Sequence, residues 1–156
     1  MKHWLMKSEP DVYGIDHLAK EKNQTEHWDG VRNYQARNMM RDDMKKGDKV
    51  FFYHSNCDEV GIVGTAKVVK EGYVDFTAFD PKQKYYDPKS DPDNPRWYMV
   101  DIQLVRKFQR VVSLKELKTY PELEEMPLVR KGNRLSVMPV AADQWKFVMA
   151  LEKKKT

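Results

Sequence analysis

One ten-residue stretch, Trp28-Asp29-Gly30-Val31-Arg32-Asn33-Tyr34-Gln35-Ala36-Arg37, concentrates residue types that could hold a ligand. A large aromatic on a turn, followed by two arginines, an asparagine and a tyrosine, suits a small pocket for a flat polar molecule. Rings stack on such a ligand's face while polar groups meet its edge. Asp-Gly is a turn signal because Gly accepts positive φ, so the sequence predicts Trp28 exposed at the lip of a loop. Asn33 suits an N-cap, and the helix it opens should run to about Met44 and stop before Gly47. On that helix Ala36, Met40 and Met44 form a core stripe, with Tyr34, Arg37 and Arg41 on the adjoining face. The competing reading is a surface turn and an ordinary amphipathic helix whose basic residues are solvated.

The same mixture recurs elsewhere. Trp28, Tyr34, Tyr53 and Trp97 each lie near Arg, Asn or Ser in sequence. One base stacked on a ring gains about 1–3 kcal/mol, similar to the cost of unstacking it, so two such rings could hold a flipped nucleotide. Core packing is the alternative: Trp4 and Trp145 read as core, Tyr53 leans that way, and Trp97 fits either. Catalytic signatures are missing: the chain contains no GxSxG, phosphate-cradling glycine loop, HExxH or CxxC. His54 and Cys57, three residues apart across a turn, make a Cys-His nucleophile conceivable, and Glu9 could serve as a base. His3, His17, His27 and His54 lack metal-ligand spacing, so neither a metal nor a cofactor is expected.

Strands and turns have to position these groups. Residues 3–6 read as a short buried strand, followed by Lys7-Ser8-Glu9 and ended by Pro10. Residues 14–20 suit a short helix and 21–26 a loop. Residues 49–55 carry bulky side chains on both faces, the mark of a central strand, and 61–69 return as its hairpin partner. Gly61 and Gly64 mark a bend or a close backbone approach. Residues 75–95 combine four X-Pro turns with Phe76, Phe79, Tyr85 and Tyr86, which predicts a long loop folded against the body. A strand over 96–105, a capping box at Ser113-Leu114-Lys115-Glu116, a last strand over 135–140 and a closing helix over 142–151 complete the chain. These elements predict an α+β fold: a small mixed or antiparallel β-barrel with short helices around its openings.

With 156 residues and no Ser/Gly-rich linker, a single domain over 1–156 is expected. A chain of this size can bury about two-thirds of its unfolded surface. The lone cysteine, Cys57, rules out a disulfide framework and fits a reducing compartment. No apolar run approaches the roughly 18 residues of a membrane span, so a cytoplasmic protein is expected, or a nuclear one in a eukaryote. Net charge is +4, but the charges are segregated. Residues 71–101 hold seven acids against four bases, and 102–137 hold eight bases against four acids. A basic surface of that kind favours a polyanion, with a solvated face as the alternative. The Lys153-Lys154-Lys155 run reads as a frayed tail.

Lys7-Ser8-Glu9-Pro10, the 28–37 block, Phe51-Phe52-Tyr53-His54-Ser55-Asn56 and Gly61-Ile62-Val63-Gly64 resemble the signature blocks of the EVE domain. So do Ala78-Phe79-Asp80-Pro81, Tyr85-Tyr86-Asp87-Pro88-Lys89, Pro95-Arg96-Trp97 and Leu128-Val129-Arg130-Lys131-Gly132. The resemblance runs in order over nearly the whole chain, departing at Val60 and Met138, where Pro and Gln would be expected. It implies a PUA-like β-barrel, related to YTH and ASCH domains, whose concave pocket accepts a modified nucleobase. Carried over by position, the nucleobase-binding candidates are Ser8, Glu9, Trp28, Asn33, Tyr34, Arg37, Tyr53, Ser55, Asn56, Trp97 and, more weakly, Ser136.

The expected function is therefore a non-catalytic module that recognises a modified base in DNA or RNA. Trp28 and Trp97 would flank the base, Ser8, Asn33 and Ser55 would meet its edge, and Arg37 with the basic 106–134 region would hold phosphates. The alternatives are a nucleotide-processing enzyme using Glu9 or Cys57, and a small-molecule sensor using the same pocket.

Overall fold

The computed structural model describes residues 1–154. Among them lie the strands β1 (His3–Ser8), β2 (Thr25–His27), β3 (Lys49–His54), β4 (Gly61–Val74), β5 (Tyr98–Ser113) and β6 (Val137–Val140). The α-helices are α1 (Pro10–Tyr13), α2 (Ile15–Lys20), α3 (Tyr34–Asn38), α4 (Leu114–Leu117) and α5 (Ala142–Glu152). The strands form one mixed sheet in the order β2-β5-β4-β3-β1-β6, in which β1 and β3 are parallel and every other pair is antiparallel.

The expected closed barrel is not formed, because among the described residues β2 and β6 remain unpaired edges. Both edge strands are short, and Pro139 in β6 has no N–H to offer a further neighbour. The sheet is nonetheless strongly coiled, since the long β4–β5 pair carries four register shifts and β3–β4 carries one. Gly64 sits at two of these irregularities and Gly61 opens β4 just before them: a Cβ on Gly61 would lie 2.5 Å from the Val112 carbonyl, and one on Gly64 2.6 Å from that of Arg106.

Both faces of the central strands are covered. Trp4, Met6, Val50 and Phe52 point into one core with Ile15, Leu18, Met40 and Met44, while Leu5, Phe51 and Tyr53 point into the other with Phe108, Trp145 and Val148. The strict alternation of a pleated strand makes this split, and burial on both faces explains the unbroken apolar run of β3. Ala36, Met40 and Met44 are buried as the helical periodicity predicts. Asn33 caps α3, its Oδ1 accepting from the Ala36 amide at 2.9 Å, and the helix continues through a π turn (Met39–Asp43) before ending at Met44. Ser113 likewise caps α4 by accepting from the Glu116 amide at 3.1 Å, whereas the Glu116 carboxylate is drawn to Arg110 at 2.7 and 3.1 Å.

Three further expectations need correcting. Residues 21–26 are not all loop: Thr25–His27 pairs with β5, a strand too short to show a period in sequence. β4 and β5 run well past residues 69 and 105. Lys153 and Lys154 are not frayed, because the Lys154 carbonyl accepts from Arg110 Nε at 2.9 Å; Lys155 lies outside the described residues. No helix among the described residues is long and apolar enough to cross a membrane.

Candidate functional site

A cleft of about 570 Å³ opens where β1 and β3 end and β6 begins. That is within the roughly 300–1,000 Å³ typical of small-ligand sites. Parallel pairing of β1 with β3 brings Ser8 and Ser55 side by side, with the Ser55 amide donating to the Ser8 carbonyl at 2.9 Å. Antiparallel pairing with β6 adds Ser136, whose carbonyl accepts from the Lys7 amide at 2.8 Å. Coiling of the sheet also brings the end of β2 to the same place, so Glu26, His27 and the turn that follows line the cleft.

That turn is held at several points. The Trp28 amide donates to the Val100 carbonyl at 2.8 Å, extending the β2–β5 ladder, and the Gly30 amide donates to Asp75 Oδ2 at 2.9 Å. Arg32 Nη1 donates to the same Asp75 oxygen at 2.9 Å, and its Nη2 and Nε donate to the Tyr85 carbonyl at 2.6 and 3.1 Å. Gly30 has φ +80°, and a Cβ there would collide with the Tyr85 ring. The long 75–95 loop is therefore folded against the body, as its aromatics suggested, and its Tyr85 forms one wall of the cleft.

Trp28 is buried, contrary to the exposed lip expected from Asp-Gly. The turn faces the cleft rather than bulk solvent, and the indole packs edge-on against Phe52 (5.3 Å) and Tyr13 (6.5 Å). The Tyr13 hydroxyl is buried without a hydrogen-bond partner among the described residues, and burial with Glu21 and Glu26 nearby pushes its pKa up. Asp29 is half-buried, and its pKa is raised by that burial; His27 opposes the rise while Asp75 and Glu26 add to it. Asp75, fully buried, shows the opposite net shift. Burial alone would raise it, yet bonds from Thr77, the Gly30 amide and Arg32 hold it below the usual carboxylate range.

Of the residues singled out from sequence, Ser8, Glu9, Trp28, Ser55 and Ser136 line this cleft together. Asn56 sits beside it, its Nδ2 donating to Glu9 Oε1 at 2.6 Å. Asn33 is committed to capping α3. Tyr34, Arg37 and Trp97 form a separate cluster: Tyr34 stacks on Trp97 at 4.9 Å, Arg37 lies over Tyr34 and donates to the Arg96 carbonyl, and Trp97 Nε1 donates to Asp87 Oδ2 at 2.6 Å. Arg32 separates that cluster from the cleft, its guanidinium 5.4 Å from the Trp97 ring and 5.8 Å from the Tyr85 ring. Tyr53 points into the opposite core. Cys57 is not a cleft residue, and His54 Nε2 accepts from the Ile15 amide at 3.1 Å.

The cleft also contains Arg32, one of the two arginines of the 28–37 block, and Tyr13, Asp29, Tyr85 and Arg134, which the sequence does not single out as base-binding. Asp29 lies inside the 28–37 block, whereas no local pattern marks Tyr13 or Arg134. Half of the eight bases of the 106–134 region are used within the fold: Arg106 pairs with Glu152, Arg110 with Glu116, Lys107 with Asp16 and Arg130 with Glu125. Among the described residues, no three His, Cys, Asp or Glu side chains converge where a metal ion could be held.

Comparison with known proteins gives the chain a family. The EVE domain model matches residues 2–151. Thymocyte nuclear protein 1 of zebrafish (Danio rerio) is 50% identical over 96% of this chain and 71% of its own length. A solved structure from Pseudomonas syringae superposes with TM-score 0.92 at 50% identity, covering 96% of this chain and 99% of that one. The human THYN1 protein, solved in complex with DNA containing 5-methylcytosine, superposes with TM-score 0.95 at 46% identity over the full length of both chains. On these grounds the chain belongs to the EVE domain family.

Proposed function

We propose that the chain is a non-catalytic module that binds a modified base in DNA, with 5-methylcytosine as the first candidate. The observation that carries this reading is the cleft itself: Trp28, Tyr13 and Tyr85 supply aromatic surface, and Ser8, Ser55, Ser136 and Asp29 supply groups for a base edge. The human relative of the same fold, solved with 5-methylcytosine DNA, supports it. A base held there has left the stack, and the aromatic contact offsets the cost of extruding it. Asp29, in its ionised form, accepts from the exocyclic amino group of cytosine, a contact that thymine with its carbonyl cannot make. A catalytic reading finds less support, since Glu9 is already bonded to Asn56 and Cys57 lies off the cleft.

Fluorescence titration of one duplex, with and without a central 5-methylcytosine, tests the reading. Tighter binding of the methylated duplex is expected, and equal affinity for the two overturns base recognition. Because the Asp29 pKa is raised, lowering the pH from neutral protonates it earlier than an ordinary carboxylate and removes the acceptor. Affinity for the methylated duplex should therefore fall with pH more steeply in the wild type than in Asp29→Asn. Parallel pH profiles would remove Asp29 from the site.

A further inference from the structure

A second depression, of about 840 Å³, lies beside the base cleft. Its floor is Tyr53, Leu117 and Leu128, and its rim carries Lys7, Lys118, Arg130 and Lys131 against one acid, Glu124. Two features join it to the cleft. Lys7 lines both, half-buried between them with its Nζ 5.5 Å from the centre of the Tyr53 ring, and burial lowers its pKa. The 130–136 segment is their common wall, with Arg130, Lys131 and Asn133 facing the groove and Arg134 and Ser136 facing the cleft.

Most of the rim's charge has not been spent inside the fold. Arg106, Lys107, Arg110 and Arg130 are paired, but among the described residues Lys7, Lys118 and Lys131 have no carboxylate within salt-bridge distance, and Lys118 and Lys131 are exposed. A cationic rim, three of whose four members are unpaired, over a mainly apolar floor and continuous with a site for one base, has the chemistry of a track for a nucleic-acid backbone. We propose that this groove holds the phosphodiester strand flanking the bound base, with Lys7 at the junction and Lys118 and Lys131 on successive phosphates. The inference rests on the base-binding reading of the cleft and adds where the strand runs. It also accounts for Tyr53, which the sequence marks as a candidate and which faces the groove rather than the cleft.

The test is the salt dependence of binding to the methylated duplex, measured for the full chain and for Lys118→Ala/Lys131→Ala. Lys20→Ala/Lys22→Ala, which removes equal charge outside both depressions, is the control. Removing one lysine–phosphate pair should lower the slope of log K against log salt by about 0.9, so the groove variant should have a slope lower by about 1.8 and bind more weakly, with the control unchanged. A groove variant with the slope of the wild type, or a control whose slope falls as far, overturns the proposal. Wild-type protein that binds methylated and unmethylated duplexes equally would overturn base reading alone, and the slopes on the unmethylated duplex then decide the groove by the same criterion.

Discussion

Trp28 meets the cleft on one side and packs edge-on against Phe52 on the other, so replacing it acts on folding as well as on binding. At the exposed loop lip that Asp-Gly predicts, its truncation would cost little stability. At 7% exposure, Trp28→Ala should instead destabilise by about 3–5 kcal/mol, the range for emptying a large buried aromatic site. Urea unfolding checks this, and a variant as stable as the wild type would contradict the burial. Trp28→Phe, which keeps an aromatic surface and most of the volume, is the better probe of binding. Arg32 poses the same problem in sharper form, because removing it leaves Asp75 buried without its ion-pair partner.

The 28–32 turn, more than any single side chain, shapes the cleft. Its amides are pinned to β5 and to Asp75, its arginine holds the Tyr85 backbone, and the glycine at its centre makes room for the Tyr85 ring. Gly30→Ala therefore combines a disfavoured positive φ, costing about 1–3 kcal/mol, with a direct collision. Its expected effect is a lowered melting temperature together with weakened binding of the methylated duplex. Tyr85→Ala added to Gly30→Ala should recover part of the stability but not the binding. If the double variant were no more stable than Gly30→Ala alone, the collision would not be what Gly30 avoids.

Across the molecule, buried carboxylates tie distant elements together and set an acid limit. Asp48 accepts from the Trp4 indole at 2.9 Å and from the Lys2 and Lys45 amides; Glu152 accepts from Arg106 at 3.0 and 3.1 Å, joining α5 to β5; Asp75 joins the long loop to the 28–32 turn. All three pKa values are depressed below their ordinary 3.8, 4.5 and 3.8. Depressed carboxylates add stability above the unfolded pKa and lose it as pH falls through the folded one, so unfolding free energy should decline from about pH 4.5 downward. His54, held below its ordinary 6.5 by burial and bonded at Nε2 to the Ile15 amide, loses stability in the same direction from about pH 6.5. Asp75→Asn should be less stable than the wild type at neutral pH and lose less on acidification. An equal loss in both would show that Asp75 carries none of the acid sensitivity.

What the sequence determined by itself was local or periodic. The stripe of Ala36, Met40 and Met44, the caps at Asn33 and Ser113, the doubly buried β3 and the close approaches at Gly61 and Gly64 follow from rules that act within a few residues. The EVE blocks supplied the family and about half of the cleft. Tertiary structure decided the rest, because sheet order and coiling are set by contacts between residues far apart in sequence. They bring β2 and β6, at opposite edges, to one cleft without pairing. They place Tyr13 against Trp28 and Tyr85 against Gly30, and put Arg32 between the cleft and the Tyr34–Trp97 pair. The parity of a β-strand then sends Tyr53 to the face opposite Phe52, a consequence invisible until the sheet shows which face looks on the cleft.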